Sequence, residues 1–230
     1  MKLMSISSWQ RHLFRRETFQ WSSIAVHTSI DRLFAIYNLS SPVEVTVDPT
    51  GRLPVILGAG GEFRLRDRRH TIENLTIDPV SVQFQITGET AVADAFYEDL
   101  LRNIETTAET SIDRAATLAR TIQTLTIAKM DIDPWRFYSS EWKQFLHSTV
   151  EPLVEVPDSS SHRIVPNGFS FLITYERVAK DYLLNPKAFA IEPRVGTNAG
   201  DGIFFAQSPT DSATHLKLIE QLERDFPCTP

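Results

Sequence analysis

Seven consecutive residues, Arg64-Leu65-Arg66-Asp67-Arg68-Arg69-His70, hold four arginines and one histidine, and they follow the glycine-rich stretch Gly58-Ala59-Gly60-Gly61. If Phe63 to Arg66 is a strand, Arg64 and Arg66 share a face, because side chains alternate along a strand. Backbone N–H groups of a glycine-rich turn, together with guanidinium forks, can hold a phosphate or a carboxylate. The predicted anion-binding set is therefore Gly60, Gly61, Arg64, Arg66, Arg68, Arg69 and His70. A solvated edge strand that uses charge to discourage strand-to-strand aggregation would need the same residues.

A second constellation is aromatic. Asp131-Ile132-Asp133-Pro134 leads into Trp135-Arg136-Phe137-Tyr138, with Trp142 and Phe145 close behind. Aromatic side chains beside an arginine are the types that dominate binding hot spots. Four consecutive residues after a proline turn cannot all point into one core, and connections lie at the surface. Trp135, Arg136, Phe137, Tyr138 and Trp142 are therefore the predicted partner interface. The competing expectation is that these rings fill the space between a sheet and the next helix.

Signatures of catalysis are missing. The glycine-rich stretch is not followed by Gly-Lys-Ser/Thr, so it is no phosphate loop. A dinucleotide fingerprint would need a glycine where Phe63 stands. There is no Gly-x-Ser-x-Gly elbow and no His-Glu-x-x-His helix. The six histidines, His12, His27, His70, His147, His162 and His215, are scattered without ligand spacing. His27 with Asp31, or His70 with Asp67, could form an acid–base pair, but geometry decides such a role. Glu98-Asp99, Asp131, Asp133 and Asp201 are carboxylates whose spacing does not demand a metal. No metal and no cofactor is expected.

Composition narrows the class. A chain of 230 residues that is 42% hydrophobic and 23% charged can bury a sizeable core. The net charge of -6 lowers the expectation of a protein that coats nucleic acid. The single cysteine, Cys228, cannot make an internal disulfide, so nothing reports an oxidising compartment. The N-terminus lacks an apolar signal run, and the apolar stretch 24–39 is broken by His27, Asp31 and Arg32. A bilayer span needs roughly 20 mainly apolar residues. The expectation is a soluble cytoplasmic protein without a membrane partner.

The elements that must position the two constellations read as follows. Ser8 to Arg16 is expected as a short basic amphipathic helix, and Ile30, Leu33, Phe34 and Tyr37 mark a helix that Ser29 could cap. Val43 to Leu57 is expected as a hairpin over the turn Asp48-Pro49-Thr50-Gly51. Phe63–Arg66 and Val80–Ile86 continue it as an antiparallel meander. Val92, Phe96, Leu100 and Ile104 define one face of a helix that starts near Thr90. Ser111 is expected to cap a second short helix that runs to Arg120. A strand follows over 122–132, then a helix over 140–150. Pro152 to Ser161 has the composition of a linker. Strands are expected at Phe169–Tyr175, Ala188–Val195 and Ile203–Gln207. A final helix is expected to be capped by Ser208, with Pro209 in its first turn and Leu218, Leu222 and Phe226 on its apolar face.

Ile77-Asp78-Pro79, then a strand and a helix, parallels Ile191-Glu192-Pro193, then a strand and a helix. The predicted fold is α+β: antiparallel sheet with packed helices. The two segments can be read as related β-β-α (ferredoxin-like) units, or as the acid-Pro turns and capped helices common to any α+β protein, and Ile132-Asp133-Pro134 shows the tripeptide a third time outside them. A larger α+β domain is expected over 1–157, and a hairpin-plus-helix unit over 162–230 is expected to pack on it. The expected function is a non-enzymatic protein–protein interaction or assembly subunit, with a protein partner or a second copy of itself. The alternatives are a nucleic-acid or nucleotide-phosphate binder that uses the arginine-rich strand, and an enzyme of another kind.

Overall fold

The computed structural model describes residues 1–15, 18, 20–40, 55–150, 168–173, 187–197 and 199–228. The expected hairpin turn at 48–51 and the expected linker at 152–161 lie outside them. Among the described residues the chain is α+β, and its strands pair antiparallel. It divides into two compact units. One holds Ser5–Leu125 and Pro209–Ala213; the other holds Met1–Met4, Thr126–Ser208 and Thr214–Pro230.

The first unit, here the α3 unit, takes most of β1 (Lys2–Phe14), then α1 (Trp21–Ile24), α2 (His27–Tyr37), β2 (Ile56–Leu65), β3 (Arg68–Asp78), β4 (Ser81–Thr87), α3 (Thr90–Thr107) and the start of β5 (Thr117–Lys129). Its strands run in the order β2-β3-β4-β1-β5. The core follows from period two in the strands and period 3.6 in the helix. Ile72, Leu75 and Ile77 of β3 and Val82, Phe84 and Ile86 of β4 are buried on one face. Phe96, Leu100, Leu101 and Ile104 of α3 complete the same cluster. Phe96 sits at its centre, edge-on to Phe84 at 4.9 Å and to Phe63 at 5.4 Å. Fully burying such a ring contributes about 2–3 kcal/mol.

β1 corrects an expectation. The helix expected from Ser8 is a strand over its described part: Lys2–Phe14 pairs to β4 through Ser8↔Ile86, Gln10↔Phe84 and His12↔Val82. Its inward residues, Ser8, Gln10, His12 and Phe14, do alternate, but three of the four are polar, so hydropathy hides the period. Hydrogen bonds make the burial of Gln10 and His12 tolerable. His12 Nε2–H donates to Gln10 Oε1 at 2.9 Å, and Gln10 Nε2 donates to Asp94 Oδ1 at 2.7 Å. Arg120 closes the chain of bonds on Asp94. The His12 ring stacks on Tyr97 at 3.6 Å. Burial, helped by the Arg120 charge, holds the imidazole at a pKa of about 3.

Two further expectations are corrected. Gly58–Gly61 is not a loop but the middle of β2, where small residues let α2 approach. A Cβ on Gly61 would stand 2.6 Å from Leu39 Cδ2 and 2.9 Å from the Tyr37 carbonyl oxygen. Residues 111–120 hold no α-helix. Asp113 caps a single 3-10 turn at Arg114–Ala116, and β5 begins at once.

The second unit, here the α5 unit, takes the end of β5, then α4 (Ser140–Phe145), β6 (Phe169–Ile173), β7 (Lys187–Pro193), β8 (Ile203–Ser208) and most of α5 (Ser212–Asp225). Its strands run in the order β6-β7-β8-β5. Ala128, Met130, Phe189, Ile191, Phe204, Ala206 and Ile219 form its core, with Leu222 and Phe226 packed against it. Ser208 does not cap the last helix. It ends β8, and its hydroxyl hydrogen-bonds His215 Nδ1 at 2.7 Å, while Thr126 Oγ1 lies 2.9 Å from Nε2. Both nitrogens of this fully buried ring have hydroxyl partners, and burial lowers its pKa to about 4.

Candidate functional site

The aromatic segment lies in the α5 unit. Asp133 accepts the backbone N–H of Trp135 at 3.0 Å and starts the 3-10 turn Pro134–Phe137. Ser139 caps α4 in the same way. These two caps send the rings in different directions. Phe137 turns inward, against Phe169 at 5.0 Å and Phe226 at 4.8 Å. Trp135 and Tyr138 are half-buried; the Tyr138 hydroxyl donates to the Gly168 carbonyl at 2.8 Å. Arg136 is exposed and donates to the Pro227 carbonyl at 3.2 Å. Trp142 and Phe145 remain 48% and 43% exposed, and their rings stack on each other at 5.3 Å. Phe145 and His147, which lies 5.2 Å from the Trp135 ring, extend the aromatic surface beyond the five residues expected.

The arginine-rich run is the β2–β3 hairpin of the α3 unit, with Arg66-Asp67 as its two-residue turn. Register divides the predicted set. Arg64 and Arg69 are cross-strand partners. The neighbouring pair Phe63↔His70 faces the other way, because Phe63 is buried beside Phe96. Arg69 meets Glu62 at 3.8 Å. Arg66, Arg68 and His70 line a cleft with the start of α3. Gly60 and Gly61 belong to neither group: Gly60 lies beside Ser40, and Gly61 packs on Leu39 and Tyr37. Leu65 belongs to the hairpin, but Gly88, Val92 and Ala95 join the cleft from distant sequence. No periodicity within the arginine run could have pointed to them.

The remaining candidates have structural partners. His27 Nδ1 lies 3.0 Å from Asp31 on an exposed helical turn. His70 Nδ1–H donates to the Thr87 carbonyl at 2.8 Å rather than to Asp67. Asp131, Asp133 and Asp201 line one cleft with Glu223 and Cys228. Among the described residues, no three His, Cys, Asp or Glu side chains are arranged to hold a metal. Burial and the Asp131 carboxylate push the Cys228 thiol above its ordinary value, which disfavours a thiolate nucleophile. No helix among the described residues is long and apolar enough to cross a membrane. The chain matches no protein-family model, and no curated protein is similar to it.

Proposed function

We propose that this chain is a non-enzymatic interaction module, an assembly subunit of a cytoplasmic complex, and that its partner surface is the Trp135–Tyr138 turn with α4. The observation that carries this reading is the stacked pair Trp142 and Phe145, each nearly half exposed on a short, well-capped helix. Two large rings that shield each other and still meet water are costly to leave uncovered. Each can contribute about 2 kcal/mol or more when a partner desolvates it. The occupant is a protein, either a second copy of the chain or a different subunit. Sedimentation and co-purification of the whole chain test the idea. Replacing Trp142 and Phe145 by Ser is expected to abolish association without lowering the melting temperature. A wild-type chain that stays monomeric and retains no partner overturns the reading, as does association that the double variant leaves unchanged.

A second reading, nucleic-acid or nucleotide-phosphate binding, rests on the Arg64↔Arg69 pair. Like charges directly opposite one another destabilise a sheet, and only Glu62 answers them among the described ion pairs. A phosphate chain along this face would relieve that repulsion. Its binding to a polyanion matrix would fall steeply with salt. Unchanged retention after Arg64→Glu and Arg69→Glu would remove this reading.

We also infer that the two β-β-α segments are related, as the ferredoxin-like expectation requires. Ile-acid-Pro closes β3 and β7, a strand follows each, and a helix follows each strand. The orders β2-β3-β4-β1 and β6-β7-β8-β5 correspond strand by strand.

A further inference from the structure

The cleft on the inner face of the β2–β3 hairpin combines three things that the outer arginine pair lacks: volume, an apolar floor and a fixed imidazole. It is an open cleft of about 810 Å³. Leu65, Val92 and Ala95 form the floor; all three pack on the core of the α3 unit yet are only partly buried. Arg66 and Arg68 stand at the rim, exposed, and neither has an acidic partner among the described residues, although Asp67 lies between them. We propose that this cleft binds a small organic acid, with one carboxylate held by Arg66 and Arg68 and an apolar body lying on Leu65, Val92 and Ala95.

Backbone conformation supports a role for the Arg66 side chain. Its φ is 56°, and Asp67 has no positive φ. A two-residue hairpin turn with positive φ at its first central position alone is the type II′ pattern, and glycine is the residue that fits there. An arginine at this point costs the hairpin stability, yet it carries a guanidinium to the mouth of the cleft. His70 is held as firmly. Its Nδ1–H is committed to the Thr87 carbonyl, which leaves Nε2 as the second ring nitrogen. Gly88, at a φ of 121°, makes the space: a Cβ there would stand 3.0 Å from His70 Nδ1 and from Val92.

Charge and hydrogen bonding narrow the ligand further. Asp67 and Glu89 also line the cleft, so its formal charge is close to balanced, and it lacks the net positive charge that would offset a multiply charged phosphate. Most of the α3 terminus is already bonded: Ser212 Oγ accepts the Thr90 N–H, and the Glu89 carbonyl accepts those of Val92 and Ala93. The guanidinium forks are the charged donors at the cleft that can orient a planar carboxylate. The apolar floor then selects acids with a ring or a short aliphatic chain. This inference is independent of the aromatic partner surface, and it uses the opposite face of the hairpin from the polyanion reading.

The test is a titration of the whole chain, followed by the NMR signals of the Val92 and Ala95 methyl groups and the His70 ring. The probes are phenylpropionate, its neutral amide and inorganic phosphate. Phenylpropionate is expected to shift these signals at millimolar concentration. The amide and phosphate are each expected to bind roughly tenfold or more weakly, the loss that follows removal of charge-assisted bonds or of apolar contact. Arg68→Gln and Arg66→Gly are each expected to weaken phenylpropionate by a similar factor. Arg66→Gly keeps the test decisive, since glycine suits that turn position and the variant folds. An amide or phosphate that binds as well as the acid overturns the proposal. So does a lack of response to phenylpropionate, or an affinity that both variants leave unchanged.

Discussion

The two units treat their aromatic residues in opposite ways. In the α3 unit, Phe63, Phe84 and Phe96 are all buried, and Phe63 and Phe84 each meet Phe96 edge to face. In the α5 unit, Phe137, Phe189 and Phe226 serve the interior, but Trp142, Phe145 and Phe171 stay 48%, 43% and 47% exposed. The rings of the first unit supply cohesion, which a binding role does not require. Those of the second are more than its own core uses, and a surplus of exposed rings is the property expected of a partner surface. The contrast also separates stability from recognition, since the same residue type should give opposite mutational results in the two places.

The largest expected effect is at Phe96. Phe96→Ala removes a ring that is fully buried among Phe63, Phe84 and Tyr37, and it should cost roughly 3–5 kcal/mol in denaturant unfolding. A cost below about 1 kcal/mol would erase the distinction between the units.

Acid should act on both units through His12 and His215. Each is buried neutral, with a folded-state pKa of about 3 and about 4 against an ordinary value of 6.5. The unfolded chain takes up these protons first, so the stability is fully present above about 6.5 and drains away as pH falls toward 4 and then 3. The depressed value of His215 corresponds to a loss on the order of 3 kcal/mol by the time its own pKa is reached. Melting curves should therefore show stability falling from pH 6.5 to 5, before most carboxylates titrate. The slope should become shallower in His215→Gln and in His12→Gln. A flat profile over that range would show that the rings are not held neutral.

Gly61→Ala should destabilise the α3 unit by about 1–3 kcal/mol, because the added Cβ collides with a backbone oxygen as well as with Leu39. This measurement decides whether the glycine-rich stretch serves packing, as its contacts show, or ligand binding. The smallest effect should be at α4. Trp142→Ser is expected to change unfolding free energy by no more than about 0.5 kcal/mol while it removes association. A large loss of stability there would return the ring to the core and break the comparison.

Much of the framework was legible in the residues. The repeat of Phe96, Leu100 and Ile104 placed α3, the alternation of 80–86 placed β4, and the strands at 188–195 and 203–207 fell within a few residues of β7 and β8. Those segments announce themselves because local period and burial coincide. β1 does not, since its inner face includes Ser8, Gln10 and His12, and only the partners Asp94, Tyr97 and Arg120 make the burial of Gln10 and His12 tolerable. The glycines of β2 look like a loop until α2 lies against them.

The candidate sites divide along the same line. Sequence by itself determined that four arginines and His70 crowd one short run, but it read Arg66 as a strand residue on the Arg64 face, where the structure makes it the first residue of a two-residue turn. It also determined that the rings after Pro134 crowd one short connection. Tertiary structure alone decided that Arg64 and Arg69 face away from His70, that Val92 and Ala95 line the cleft, and that Phe137 packs on the core while Trp142 stays exposed. The physical reason is range. Turns and caps are decided by bonds within a few residues, whereas burial depends on which distant surface arrives to exclude water.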